Sequence, residues 1–262
     1  MLRRLALAAL IAASVCGHAH PGTAGEIPRP LQWNGFYVGG HFGGLWNSGG
    51  VTQEPLNGVA DFYFIGNVIS PAPIGGDKGI MGGAQIGYNS QTGWLVYGAE
   101  ADLSAVQIGG SNARSEPFWL GLIIDTTAER KLSAFATLRG RLGVMPLERV
   151  LLYATGGLAW GRATLANSFT LMQGGVPICA AATGECASAS TSTWLTGWTL
   201  GGGLELAIDN NWSVKFEGLY YDLGTLRHTY DEPAAGNNNA IFGASADFKG
   251  SIARFGVNYR FN

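Results

Sequence analysis

Apolar and polar residues alternate one by one along several stretches of the chain. In the segment WSVKFEGLYY, Trp212, Val214 and Phe216 occupy every second position, and the polar residues Ser213, Lys215 and Glu217 occupy the alternate ones. Successive side chains of a β-strand point to opposite faces, so a period of two predicts a strand with one apolar and one polar face. The pattern therefore predicts β-structure.

Eight segments carry this alternation. They span residues 34–46, 79–90, 94–108, 129–145, 150–165, 193–208, 212–226 and 247–261. Three connections between them are short and rich in turn-forming residues: 91–93, 146–149 and 209–211. The other four are long: 47–78, 109–128, 166–192 and 227–246. This rhythm predicts an all-β fold, an eight-stranded antiparallel up-and-down transmembrane β-barrel with short periplasmic turns and four long extracellular loops.

Composition places the apolar face of these strands in lipid. Only 13% of the residues are charged, against about 25% in a typical soluble domain, and 41 of the 262 residues are glycine. After the N-terminal segment, no apolar run reaches the roughly 18 residues that a membrane helix needs. Each strand segment does have the roughly ten residues that a tilted strand needs to cross a bilayer. A soluble β-domain is the alternative, but it would enclose its apolar face, whereas here the charged face would be enclosed.

The N-terminus has the layout of a secretory signal peptide. In residues 1–24, a basic pair is followed by an apolar run that is too short to span a bilayer, and then by small residues. We predict cleavage after Ala24, with cleavage after Ala19 as the alternative. The mature chain would then consist of a short periplasmic segment, 25–32, and a barrel domain, 33–262.

The positions of the three cysteines are consistent with export from the cytoplasm. Cys16 would leave with the signal peptide; lipid attachment there is an alternative, although Val15 stands where such signals have a small residue. Cys179 and Cys186 share one polar stretch, and export favours a disulfide between them, with two free thiols as the alternative. The loop 166–192 around them contains no histidine and no third cysteine that would complete a metal site.

The polar faces of the predicted strands carry charges of both signs. An eight-stranded barrel is only wide enough to be filled by side chains or to hold one small ligand. Opposite charges enclosed there are expected to pair, because an unpaired buried charge is costly. We therefore predict a polar plug, and the alternative is a narrow channel for small solutes. The predicted members are Glu100, Asp102, Lys131, Arg139, Arg141, Glu205, Lys215, Glu217, Arg254 and Arg260.

The sequence gives little support to catalysis, cofactors or nucleic-acid binding. The net charge of -2 provides no basic patch for nucleic acid. Some eight-stranded barrels modify lipid A, and such an enzyme would need a histidine beside a hydroxyl or carboxylate. His41 lies on a predicted inward face, and His228 precedes the polar residues 229–232 in the last long loop. A solvated turn explains the polar residues beside His228 more simply. We therefore predict no enzyme, no catalytic or metal-binding residues and no cofactor.

The first long loop contains an aromatic cluster, DFYFIG at residues 61–66. Such clusters usually pack a loop onto its own rim. Contact with a surface partner or a haem-like ligand is the alternative, and the sequence does not identify that ligand.

Four stretches carry a resemblance to a known family. They are WNGFYVGGHFGGLW at 33–46, YGAEADLS at 97–104, LRGRLG at 138–143 and the closing FGVNYRF at 255–261. Together they resemble the opacity-type "porin family" of small outer-membrane β-barrel proteins, over nearly the whole mature chain. The resemblance implies a barrel in the outer membrane of a Gram-negative bacterium, with roles in envelope integrity and surface contact and without shared catalytic residues.

The resemblance also implies partners. Proteins of this kind are recognised by the barrel-assembly machinery through a closing aromatic alternation, which in this chain is Phe255, Val257, Tyr259 and Phe261. Outer-membrane lipids and lipopolysaccharide would surround the barrel.

Overall fold

Eight strands close into one antiparallel ring within the described part of the chain. The computed structural model describes residues 31–58, 77–117, 121–178, 186–232 and 240–261. Its strands are β1 (Gly35–Asn47), β2 (Val51–Pro55), β3 (Lys78–Thr92), β4 (Leu95–Pro117), β5 (Leu122–Leu147), β6 (Val150–Gln173), β7 (Val176–Pro177), β8 (Cys186–Ala207), β9 (Trp212–Glu232) and β10 (Ala240–Arg260). The ring has the order β1-β3-β4-β5-β6-β8-β9-β10, and β10 pairs back with β1. This confirms the predicted eight-stranded up-and-down barrel.

The seam between the first and last strands is continuous. The β1–β10 register runs from Tyr37 opposite Arg260 to Asn47 opposite Gly250 without a shift, and β2 continues along β10. A closed ring leaves no row of unpaired backbone groups, which lipid could not hydrogen-bond. None of the described residues belongs to a helix long and apolar enough to cross a membrane.

The long connections contain more strand than the sequence predicted. β4 runs to Pro117 and β5 begins at Leu122, so most of the predicted loop 109–128 is a paired hairpin, in which Ser111 lies opposite Glu129. β6, β8, β9 and β10 extend in the same way. The extension of β8 pairs with β6 and that of β9 pairs with β10, whereas β8 and β9 pair with each other only as far as Trp198 and Asp222. Each extension therefore has its backbone hydrogen bonds with at least one neighbouring strand that continues in register.

The wall of the barrel reverses its polarity along its length. Near the short turns, the outward side chains are apolar, as at Phe42 and Leu138, and the inward ones are charged. In the extensions, Ile124 and Phe242 are fully buried inside, whereas Thr127 is on the outer surface. An apolar exterior suits lipid and a polar exterior suits water, so the reversal indicates where the membrane ends.

One short turn is fixed by a carboxylate. The Oδ1 atom of Asp209 accepts the backbone N–H groups of Asn211 and Trp212 at 2.8 Å and 2.7 Å, between β8 and β9. These hydrogen bonds stabilise the ionised form and lower the pKa of Asp209 below its ordinary value.

We expect Asp209→Asn to change the pH dependence of stability. With the folded-state pKa lowered, the ionised carboxylate contributes stability above about pH 4, and this contribution is lost as the pH falls through the lowered pKa. The difference in unfolding free energy between wild type and Asp209→Asn should therefore be positive at neutral pH and shrink in acid. A difference independent of pH would contradict this role.

Candidate functional site

Four carboxylates and four basic groups meet inside the membrane-facing part of the barrel. They come from β4, β5, β8, β9 and β10, where unbroken alternation points them inward, and none is more than 6% exposed. The acids are Glu100, Asp102, Glu205 and Glu217, and the bases are Arg139, Arg141, Lys215 and Arg254. We call these eight residues the lumen cluster. Its formal charges balance.

Glu100 lies at the centre of the lumen cluster. The Nζ atom of Lys215 lies 2.8 Å and 2.7 Å from its two carboxylate oxygens. Arg139 donates to Oε1, and the hydroxyl of Tyr37 donates to Oε2 at 2.7 Å. Charge-assisted hydrogen bonds of this kind are stronger than neutral ones, so Glu100 holds side chains from three other strands together.

Two arginines share two carboxylates beside Glu100. Arg254 donates from Nε to Glu217 at 2.6 Å and from a terminal nitrogen to Asp102 at 3.0 Å. Arg139 contacts the same two carboxylates at 2.9 Å and 3.1 Å. This closed arrangement links β4, β5, β9 and β10 across the lumen. The Oδ1 atom of Asp102 is buried without a hydrogen-bond partner within the described residues.

The pair formed by Arg141 and Glu205 lies toward the short turns. One guanidinium nitrogen of Arg141 lies 2.7 Å from Glu205, and the guanidinium carbon lies 4.1 Å from the centre of the Tyr153 ring. Glu205 also accepts hydrogen bonds from Ser213 at 2.6 Å and Asn258 at 2.9 Å. Cation–π stacking and hydrogen bonds therefore satisfy this buried pair from several sides.

Arg260 is inside the barrel but outside the cluster of ion pairs. Its guanidinium lies 4.5 Å from the centre of the Trp33 ring and donates to the backbone carbonyl of Gln32 at 2.5 Å. Trp33 itself is fully buried. Arg260 therefore caps the periplasmic end of the lumen by stacking.

The prediction for Lys131 was wrong. The neighbouring Leu132 is buried, and Lys131 is exposed on the outer wall. The cause is an irregular register between Leu132 and Ala134, where β5 carries an extra residue relative to β6. A bulge of this kind reverses the alternation, so an inward phase extrapolated from Arg139 fails beyond it.

An apolar layer covers the lumen cluster on its extracellular side. Phe135 and Tyr221 pack edge to face with ring centres 5.4 Å apart, and Phe248 and Leu219 are buried beside them. Such a layer excludes water by close packing. The sequence did not predict this layer, because the inward face was expected to be polar throughout.

A second buried ion pair lies beyond the apolar layer. Arg130 and Asp77 approach to 2.5 Å, and Arg130 also donates to the backbone carbonyls of Gly49 at 2.7 Å and Asp247 at 3.2 Å. Asp77 falls within the predicted loop 47–78. Because of the bulge, the alternation extrapolated along β5 did not predict that Arg130 points inward, on the same face as Leu132.

His41 is part of the same interior. Its ring nitrogens lie 3.0 Å from Gln85 Oε1 and 2.8 Å from Ser104 Oγ. All three side chains are buried, so the pair of His41 and Ser104 faces neighbouring side chains rather than solvent. Within the described residues, no group of three or more His, Cys, Asp or Glu side chains is placed to hold a metal ion.

The closing strand has the predicted orientation. Phe255, Val257 and Phe261 are exposed on the outer wall, and Tyr259 packs between the rings of Trp212 and Phe261, with ring centres 5.1 Å and 5.2 Å away. The barrel-assembly role of this face remains a prediction.

Three other predictions lie outside the described residues. They concern the signal peptide, 1–24, the aromatic cluster at 61–66, and the disulfide, since neither side chain of Cys179 and Cys186 is described.

The chain is similar to several known outer-membrane proteins. A family model described as "Outer membrane protein beta-barrel domain" matches residues 5–261. The 31 kDa outer-membrane immunogenic protein of Brucella melitensis is 33% identical over 263 residues, covering 98% of this chain and 95% of that protein. The 22 kDa outer membrane protein of Rhizobium leguminosarum bv. viciae is 28% identical over 215 residues, covering 77% and 74%. The crystal structure of OprG from Pseudomonas aeruginosa aligns at a TM-score of 0.46 and 12% identity, covering 87% of this chain and 96% of that chain.

Proposed function

Because the chain belongs to the outer membrane protein β-barrel family, we propose that its barrel is closed and non-enzymatic, and that it serves envelope integrity and contacts at the cell surface. The protein is located in the outer membrane of a Gram-negative bacterium. Its lipid-facing wall and paired strands suit that membrane, with the strand extensions projecting outside the cell.

The observation that carries the proposal is the lumen cluster together with its apolar cover. Eight charged side chains of balanced sign occupy the interior, and most of their hydrogen-bonding groups are used by one another. The apolar layer then blocks the route that water or ions would take past them. Conduction would require either the cluster or the layer to part, and both are tightly held.

Surface contact is proposed for the outer part of the barrel. The paired extensions of β4, β5, β6, β8, β9 and β10 present polar residues on a rigid scaffold, the setting in which binding residues concentrate. The Brucella relative is named as an outer-membrane immunogenic protein. We further propose that the barrel-assembly machinery recognises the aromatic face that ends at Phe261.

The alternative is a narrow channel for small solutes, and the unpartnered Oδ1 atom of Asp102 favours it, because a water molecule could reach a polar atom left unsatisfied. The lipid A-modifying enzyme is less favoured, because His41 is enclosed and bonded to Gln85 and Ser104. Mass spectrometry of lipid A from cells with and without the protein tests that enzyme. Modified lipid A would contradict a non-enzymatic role.

We expect refolded wild-type protein to give no regular conductance steps in planar bilayers. The physical reason is the filled bore, which in an eight-stranded barrel leaves no aqueous path. A larger porin refolded in the same detergent provides the positive control. Reproducible steps from this protein, absent from protein-free bilayers, would favour the channel and overturn the closed lumen.

A further inference from the structure

We propose that the outer wall of the barrel carries a binding site for the phosphate groups of an acylated glycolipid in the outer leaflet, the chemical class of lipid A. The site is a groove across β3, β4 and β5, with Lys78 and Lys131 as its two cationic groups. The proposal rests on the topology proposed above, in which the strand extensions project outside the cell.

Three neighbouring strands bring the two lysines together. Both are exposed on the outer wall, and both line one groove of about 610 Å³. Ile80 pairs with Gln107, and Gly109 pairs with Lys131. Continuing the β3–β4 register places Lys78 opposite Gly109, so the lysines flank this glycine on its two sides.

Gly109 forms the floor between them. A Cβ atom added there would meet only the carbonyl oxygen of Arg130, at 3.5 Å, which is an ordinary contact. The outward side of Gly109 is therefore open, and a bulky headgroup can approach the strand between two ammonium groups. A larger side chain at this position would fill the groove without disturbing the backbone.

The charges of the lysines are available to a ligand. Neither lysine forms an ion pair with another described residue. Glu129 also lines the groove, two residues farther from the membrane than Lys131 on the same strand. The positive charge is therefore concentrated on the side that faces the lipid headgroups, where each basic residue strengthens attraction to anionic lipid.

The wall below the groove suits acyl chains. Toward the periplasm, Ile80 and Leu103 are among the most exposed apolar side chains, and Ala105, which pairs with Ala134, lies on β4 between Leu103 and the groove. A ligand that combines phosphates with acyl chains matches this arrangement of cations above an apolar wall. A soluble phosphate would contact only the two lysines and not the apolar wall.

The test measures binding of purified bis-phosphorylated lipid A to the refolded full chain in detergent, by native mass spectrometry. We expect Lys78→Gln/Lys131→Gln to weaken binding about tenfold or more. Gly109→Leu should weaken it similarly by filling the groove while keeping both charges. The matched control is Lys249→Gln, because Lys249 is another outward lysine but lies 3.9 Å from Asp247. All variants are first checked for folding by the gel shift between unboiled and boiled samples.

Two further measurements distinguish a phosphorylated lipid from other ligands. The same lipid without its phosphates should bind the wild type about as weakly as lipid A binds the double variant. Inorganic phosphate at equal concentration should not compete. The site would be overturned if the wild type bound the lipid equally tightly with and without its phosphates, if phosphate alone competed effectively, or if lipid A binding were unchanged in both groove variants. Because conductance is measured separately, failure of the closed lumen and failure of this site are distinguishable.

Discussion

Replacing Glu100 with alanine is expected to lower the unfolding free energy of the refolded barrel by about 3–5 kcal/mol. The substitution removes the carboxylate that Lys215 and Arg139 share. Arg139 keeps two other carboxylates, but Lys215 is left buried in the lumen without its ion-pair partner. The cost arises from the stranded charge of Lys215 more than from the lost attraction, because an uncompensated cation in an enclosed site has neither water nor a counter-ion. Urea unfolding followed by tryptophan fluorescence and extrapolated linearly gives the measurement.

Two comparisons isolate the buried charge as the cause. Glu129→Ala removes an exposed carboxylate from the outer wall, and we expect a change within about 0.5 kcal/mol. Glu100→Gln keeps an acceptor oxygen of the same reach but removes the charge, so its stability should fall between those of wild type and Glu100→Ala. If Glu100→Ala proves as stable as Glu129→Ala, the lumen is hydrated enough to screen the cluster, and the closed-lumen proposal loses its basis.

The lumen cluster could be predicted because its strands keep one phase across the membrane. In β9, Lys215 and Glu217 alternate with lipid-facing residues such as Phe216 up to the short turn, so position alone assigns each side chain to a face. The partners of each charge could not be predicted in this way. They depend on the stagger between strands, which brings Lys215 to Glu100 across 115 residues of sequence.

The outer half of the barrel could not be predicted in this way, because the faces of its strands have the opposite polarity. Beyond the membrane, apolar residues such as Leu165 lie inside and polar ones outside, so the rule used for the lipid-facing wall gives the wrong face there. The bulge beside Ser133 adds a second reversal on β5. The bulge misplaced Lys131, and the reversal of polarity led to loop predictions for residues that the structure places in paired strands.

Closure of the barrel depends on close approach of its first and last strands, and Gly250→Ala is expected to disrupt it. A Cβ atom at position 250 would lie 1.9 Å from the carbonyl oxygen of Trp46 and 2.9 Å from the Cα atom of Asn47. Both are backbone atoms of β1, so no side-chain rotation can relieve the overlap, and the two strands must separate. We expect a loss of about 3 kcal/mol, near the upper end for overpacked sites.

The matched control for Gly250→Ala is Gly218→Ala on the adjacent strand β9, where an added Cβ meets no atom within 4 Å. Both substitutions remove the same backbone freedom from the unfolded chain, so their difference reports the steric effect at the seam. The readout is the fraction of refolded protein that shifts on boiling, together with urea unfolding. Gly218→Ala should behave like wild type, and Gly250→Ala should leave much of the protein unshifted. Equal folding of both variants would mean that β1 and β10 lie farther apart than the seam described above, and that closure tolerates a side chain at position 250.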